Sequence, residues 1–128
     1  AAVALVAVVV LQRPKARGAV AEVASHHPVP REGITPVKVL PVSLVPRTPG
    51  AAEAYAAART AFGTLDGVYC YCDCSKHSGH RSLLTCFESE HGAFCDICMG
   101  EAMVASGMVG QGKSLEDIRA AIDLRFGS

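Results

Sequence analysis

The residues of this sequence that could do chemistry are six cysteines, all of which fall between residues 70 and 98 of the 128. They form a Cys-x-Cys-x-Cys run, a single cysteine and a Cys-x-x-Cys pair, with three histidines interleaved. Thiolates at such spacings are typical zinc or copper ligands, and imidazole can complete the same sites. The candidate metal ligands are Cys70, Cys72, Cys74, Cys86, Cys95, Cys98 and His80.

Three uses of these cysteines compete. Disulfides would stabilise a small domain, but cysteines two residues apart are poorly placed to pair with each other. Metal ligation fits the spacing better, because Cys-x-x-Cys at a helix start directs two thiolates at one ion and Cys-x-Cys can supply a second pair. Redox catalysis by Cys95 and Cys98 lacks the βαβ context that usually accompanies it. We therefore predict a metal site for zinc or copper, in preference to an iron–sulfur centre.

The elements that must position these ligands belong to residues 51–128, which we predict to be a Cys-rich helical domain. Ala51–Phe62 is dense in strong helix formers, and a second helix is predicted over residues 95–108. In that second helix, Met99, Met103 and Val104 should share one side. No strand alternation of useful length appears, so the fold class is mostly α, a small metal-stapled helical domain.

A third helix is predicted at the end of the chain. Ser114 is a typical N-cap, and Asp117 three residues later is the acidic partner of a capping box. Apolar residues then recur at helical spacing and should face the core. They are Leu115, Ile118, Ile122 and Phe126.

The first 25 residues are predicted to be a hydrophobic anchor helix with a basic flank. Residues 1–11 are apolar throughout, which is about half the length that crosses a bilayer. A membrane helix completed by upstream residues, a signal-peptide core and a buried helix all fit this pattern. We predict the membrane anchor, because Arg13, Lys15 and Arg17 suit a lipid headgroup surface.

Residues 26–50 are predicted to form an extended, proline-rich arm. Six of the seven prolines lie between Pro28 and Pro49, and proline disfavours both helices and central strands. The stretch is also too apolar for a solvated linker. It is either a stiff tether or an arm that lies along a partner protein over residues 28–49. A partner would then bury Val37, Val39, Val42 and Val45.

Composition and charge exclude several function classes. Twelve basic and twelve acidic side chains cancel overall, but residues 51–128 carry six basic and ten acidic ones, which argues against nucleic-acid binding. The chain has no Trp and few other aromatic residues, so its core should need staples. No catalytic triad, phosphate-binding loop or paired carboxylates stand out. We predict no enzyme activity and identify no small-molecule substrate.

The run Tyr69-Cys70-Tyr71-Cys72-Asp73-Cys74, followed from His77 by HSGHRSLLTCFESEHGAFCDICMGEA, resembles the bacterial PCYCGC-motif family. Members are small exported proteins or lipoproteins of uncharacterised function. Tyr69 stands where the family motif has Pro, and Asp73 stands where it has Gly. The resemblance implies a location outside the cytoplasm and a role in handling metal.

These features together predict a membrane-anchored, extracytoplasmic metal-binding protein, either periplasmic or on the cell surface. The metal would be structural zinc, or copper in storage or transfer. The alternative is a non-catalytic accessory subunit of a membrane or electron-transfer complex. In that case the Cys-rich domain would serve only as a structural staple, and the arm and anchor would bind the partners.

Overall fold

A computed structural model describes residues 26–127, so the predicted anchor lies outside the described residues. Between residues 26 and 127 no β-strand occurs, which confirms the mostly α fold class. In the same range, no helix combines the length and the apolar character that a membrane span requires. The α-helices are α1 (Ala51–Thr60), α2 (Phe62–Leu65), α3 (Cys74–His77), α4 (Leu83–Cys86), α5 (Asp96–Gly110) and α6 (Leu115–Phe126). Short 3-10 helices span Pro36–Lys38, Val42–Leu44 and Glu90–Phe94.

Helices α1 and α5 pack against each other at the centre of the fold. Both present small side chains to the core, including Ala54 and Ala58 of α1 and Ala102 of α5, all fully buried. Alanines allow close approach of two helices but bury little area each. The bulk is supplied beside them by Tyr55, whose ring meets the ring of Phe87 edge-on at 4.9 Å between centroids.

The first predicted helix is interrupted near its end. Instead of one helix over Ala51–Phe62, α1 stops at Thr60, and the chain turns at Ala61 (φ −107°) before α2 begins. The helix-forming composition could not reveal this break, because the turn follows from packing. It directs Leu65 into the core, where its side chain is fully buried.

The second predicted helix is confirmed as α5, but the side that carries its methionines is only partly buried. The buried face of α5 runs through Cys98, Ala102 and Ala105. Met99 borders this face and is buried, whereas Met103 points away and is 49% exposed. Met103 therefore does not share a buried side with Met99, because the cysteine and the alanines set the rotation of the helix.

The third helix is confirmed as α6, together with its cap. The backbone N–H of Asp117 donates to Ser114 Oγ at 3.1 Å, as a capping residue requires. Ile118 and Ile122 are fully buried. The two outer members of the predicted apolar face, Leu115 and Phe126, are partly buried against the core.

The proline-rich segment lies along the helical domain of its own chain. Val39 is fully buried there, and the N–H of Leu40 donates to the carbonyl of Phe87 at 2.9 Å. Val39 is therefore a core residue of this chain and not a contact residue for a partner. Val37 and Val42 are 77% and 41% exposed. The partner protein along residues 28–49 stays a prediction.

Arginines of the helical domain bind the backbone of this segment. Arg81 donates to the Val29 carbonyl at 2.6 Å, and Arg119 donates to the Pro28 carbonyl at 2.7 Å. Proline cannot donate a backbone hydrogen bond, so the carbonyl groups are what such a segment offers to its neighbours. The guanidinium groups therefore hold it in place without a strand partner.

Asp66 is the buried centre of a polar network between the segment and the domain. Its carboxylate is fully buried and accepts from the backbone and guanidinium of Arg31, from Ser82 Oγ at 3.0 Å, and pairs with Arg81 at 3.0 Å. Burial alone would raise the pKa of Asp66. The hydrogen bonds from Arg31 and Ser82 outweigh it, so this pKa lies below its usual range.

Replacing Asp66 with Asn should lower the free energy of unfolding by about 2–3 kcal/mol, because it leaves buried hydrogen-bond donors and two guanidinium groups without their carboxylate. Urea denaturation at neutral pH measures this loss. The matched control is Glu116→Gln on exposed α6 surface, which should change stability by less than about 0.5 kcal/mol. Equal stability of the two variants would contradict the assigned role of Asp66.

Candidate metal centre

Five of the six cysteines converge because separate short elements end at one point. Cys74 begins α3, Cys86 ends α4, and Cys98 lies in the first turn of α5. Cys70 and Cys72 belong to the turn that precedes α3. Helices of a single turn thus serve here to aim sulfur atoms at a common centre.

The five sulfur atoms all lie within 4.8 Å of one another. Cys70 Sγ is 3.2 Å from Cys98 Sγ and 3.3 Å from Cys72 Sγ, and Cys72 and Cys98 are 3.5 Å apart. Sulfur ligands of one tetrahedral zinc ion stand about 3.8 Å apart, given Zn–S bonds of about 2.3 Å. We call Cys70, Cys72 and Cys98 the sulfur half of the centre.

Two imidazoles join the remaining two sulfurs. His91 Nε2 lies 3.2 Å from Cys74 Sγ, and His80 Nδ1 lies 3.4 Å from Cys86 Sγ. Cys74 and Cys86 are 3.7 Å apart, and the four donor atoms lie within 4.8 Å of one another. We call Cys74, His80, Cys86 and His91 the imidazole half.

His91 is absent from the ligands predicted from sequence, whereas His80 is among them. The signal for His80 is its short loop after α3, only a few residues from Cys74 and Cys86. His91 is brought in by the 3-10 helix Glu90–Phe94, whose placement depends on packing. Gly92 permits that packing, since a Cβ there would lie 2.9 Å from the Cys86 carbonyl oxygen.

Cys72 and Cys74 are joined by a disulfide. The expectation that cysteines two residues apart are poorly placed to pair with each other is wrong at this position. Between them Asp73 adopts a left-handed conformation (φ 60°), and the Cα atoms of the two cysteines are 5.5 Å apart. That separation lies within the usual range for disulfides. The turn conformation therefore decides the pairing.

Cys95 is placed apart from both halves of the centre. Its Sγ accepts the backbone N–H of Cys98 at 3.3 Å and so caps the N-terminus of α5. The structure brings together the other five predicted cysteines and His80, and it gives Cys95 a capping contact. His77 also lies outside, bonded to Ser78 Oγ at 2.9 Å.

The buried thiols shift one another's protonation. Hydrogen bonds from Cys86 and Cys98 to the Cys70 sulfur lower the pKa of Cys70. The pKa values of Cys86 and Cys98 are raised, because each thiol interacts by a hydrogen bond with the Cys70 sulfur and because both are buried. A cluster of thiols thus stabilises one thiolate within it, which is the form that binds metal.

Glu101 is a functional candidate that sequence reasoning missed. It is fully buried in α5 and its Oε1 accepts the backbone N–H of Tyr71 at 2.9 Å, while Oε2 has no hydrogen-bond partner among the described residues. Burial, and then the nearby Cys70 sulfur, raise its pKa to about 10. Both effects favour the protonated carboxyl, which carries no negative charge beside the thiols.

The comparisons with known proteins agree with the motif. Residues 21–128 match the model of a family described as a protein of unknown function with PCYCGC motif. The chain belongs to the PCYCGC-motif family. The resemblance stated from sequence is thereby confirmed. No curated protein and no solved structure shows a significant match to the chain.

The two departures from the PCYCGC motif contact each other. Tyr69 OH donates to Asp73 Oδ1 at 2.7 Å, and this bond, followed by that from Lys76, holds the pKa of Asp73 below its usual range. The motif's Gly suits the left-handed conformation at this position, and Asp is one of the few other residues that tolerate it. Tyr69 and Asp73 together preserve the turn that carries the motif cysteines.

A second cluster of possible metal ligands lies away from the sulfur atoms. His26, His27 and Asp123 have donor atoms close enough for a metal ion. However, His27 Nδ1 accepts the backbone N–H of Tyr69 at 3.0 Å, so Nε2 carries the proton that it donates to Asp123 at 2.8 Å. An Nε2 that carries a proton is not available to a metal. We assign this cluster the role of tying His26 and His27 to α6.

Buried His27 should make the protein acid-sensitive. Burial lowers its pKa below 6.5, and the attraction of Asp123 only partly opposes this. Protonation thus favours the unfolded chain, so stability present above pH 6.5 is lost as the pH falls toward the lower folded pKa. We compare the free energy of unfolding at pH 7.5 and at pH 5.5 by urea denaturation with chelator present. The decrease between these pH values should be about 0.5–1 kcal/mol smaller for His27→Gln than for wild type.

Exposed His26 provides the control for this measurement. His26→Gln removes a neighbouring imidazole whose effect on His27 ranks behind burial and Asp123, so it should keep most of the wild-type pH dependence. If His27→Gln and His26→Gln gave the same slope as wild type, His27 would not be the group responsible.

Proposed function

We propose that this protein is a zinc-binding protein of the cell exterior, in which the reduced cysteines and two histidines hold the metal. The observation that supports it is the donor set: five sulfurs and two imidazole nitrogens gathered at one place. Two tetrahedral ions that share one sulfur need seven donors. In the dithiol form of Cys72 and Cys74, the centre offers that number.

The types of donor favour zinc over copper. The imidazole half has two thiolates and two imidazoles, which is a typical donor set of structural zinc sites. A copper(I) carrier would favour sulfur alone, as in the sulfur half. Zinc accepts both halves, so it suits the whole centre better than copper(I) does.

The burial of the centre supports a structural or holding role and no catalysis. Cys74, Cys86 and Cys98 are fully buried, and Cys70 is 4% exposed. When protein donors complete every ligand position, no position is left for a substrate. The small alanines between α1 and α5 also bury little area, so a bound ion would contribute folding free energy that the core lacks.

The location that we propose depends on the N-terminus and the family resemblance. Residues 1–11 form an apolar run, and a basic flank follows it. A membrane anchor there would hold the metal domain outside the cytoplasm, as the resemblance implies. Residues 26–50 would then be the connection between anchor and metal domain, lying on the domain surface.

A second candidate function is the non-catalytic accessory subunit of a membrane or electron-transfer complex. The exposed apolar side chains of the proline-rich segment favour it: Val29 is 79%, Val37 77% and Leu44 62% exposed. In that case the cysteines would only staple the domain. Metal content of the reduced protein separates the two functions: retention of an ion supports the metal-binding function, and failure to retain one favours the accessory subunit.

Reduced wild-type protein should retain about two zinc ions per chain after gel filtration, by elemental analysis. Cys86→Ser removes a donor from the imidazole half and should reduce this to about one or fewer. Cys95→Ser is the matched control, since serine can also cap α5, and should retain the wild-type content. Retention of less than one zinc by the wild type would contradict the proposal, and preferential retention of copper would change the metal.

His91→Ala should weaken zinc binding at least about tenfold, because it removes a donor that lies 3.2 Å from Cys74 Sγ. His77→Ala is the control, as His77 is exposed and lies outside both halves. Competition with a chromophoric zinc chelator measures both affinities in the reduced protein. Identical affinities for the two variants would show that His91 is not a ligand.

A further inference from the structure

The Cys72–Cys74 disulfide lies inside the donor set and not beside it. Cys72 belongs to the sulfur half and Cys74 to the imidazole half. Forming this one bond therefore withdraws one sulfur donor from each half. We propose that the Cys72–Cys74 pair is a redox gate of the metal centre, which binds zinc as a dithiol and releases it as a disulfide. This inference rests on the proposed zinc-binding function.

The rest of the centre stays assembled around the disulfide. Cys70 and Cys98 remain in contact with Cys72, at 3.3 and 3.5 Å between sulfurs. Cys86 and His91 remain beside Cys74, at 3.7 and 3.2 Å from its Sγ. Since the other donors already lie in place, reduction restores the full donor set without refolding the domain. A redox gate requires that the dithiol and the disulfide both form on the same fold.

Access to the pair is one-sided. Cys74 is fully buried, whereas Cys72 is partly exposed in a turn whose Asp73 side chain is 49% exposed. The other sulfurs of the centre are buried. An external reagent should therefore reach Cys72 first, and Cys74 should act as the resolving partner within the protein.

The co-reactant is a disulfide outside the protein, either a small disulfide or that of an oxidoreductase. The Cys72 thiolate attacks it, forms a mixed disulfide and expels one thiolate. The Cys74 thiolate then attacks Cys72 Sγ, forms the Cys72–Cys74 bond and expels the second thiolate. Two protein thiolates are oxidised, the external disulfide is reduced to two thiolates, and a dithiol reverses both steps.

The test uses reduced, zinc-loaded protein titrated with oxidised glutathione, with released zinc followed by a chromophoric indicator. Peptide mass spectrometry identifies the disulfide that forms. We expect zinc release in step with the loss of two thiols and formation of Cys72–Cys74. Three outcomes would each overturn the gate. Zinc could stay bound after the Cys72–Cys74 disulfide has formed completely, zinc release could accompany a disulfide between other cysteines, or oxidised glutathione could fail to react.

Two variants control for other thiols. Cys95→Ser removes the thiol outside the donor set and should release zinc as the wild type does. Cys72→Ser removes the exposed sulfur, should retain zinc on the imidazole half, and should release it about tenfold more slowly; release at the wild-type rate would also overturn the gate. Failure of reduced wild type to bind zinc would instead reject the proposed function.

Discussion

The convergence of five sulfur atoms within 4.8 Å is the constraint on which the rest of this structure depends. Cys70 and Cys72 come from one turn, and the other three sulfurs come from α3, α4 and α5, so the centre joins all of these elements. The surrounding core is rich in alanine, which buries little area per residue. An ion held by these sulfurs would link elements that are too short to be stable alone, whereas the disulfide joins only Cys72 to Cys74.

The proline-rich segment is held by a polar network that is separate from the sulfur centre. Buried Asp66 faces Arg31 from the segment and Arg81 from the domain. Because proline removes backbone donors, the segment could not be held by strand pairing. Guanidinium groups that donate to its carbonyls hold the segment instead, and the side chain of Val39 is buried in the core.

The two networks meet different chemical requirements. The Asp66 network is made of charged and hydrogen-bonded groups, and its role is structural. The sulfur centre can exist in two oxidation states on one scaffold, because Cys72 and Cys74 flank a single left-handed residue. Asp73 holds that conformation with the help of Tyr69, so two departures from the family motif act together to keep its cysteines in register.

The sequence by itself determined the helical class, the Ser114 cap, the family and all but one of the donors gathered at the centre, since these follow from local composition and motif spacing. Only the tertiary structure decided that His91 joins them, that Cys95 caps α5, that Val39 enters the core of its own chain and that Glu101 is buried beside Cys70. For His91, Val39 and Glu101 the physical reason is packing between residues far apart in the chain, which neither motif spacing nor helix propensity reveals. For Cys95 it is the local backbone at the start of α5, where its sulfur accepts the N–H of Cys98.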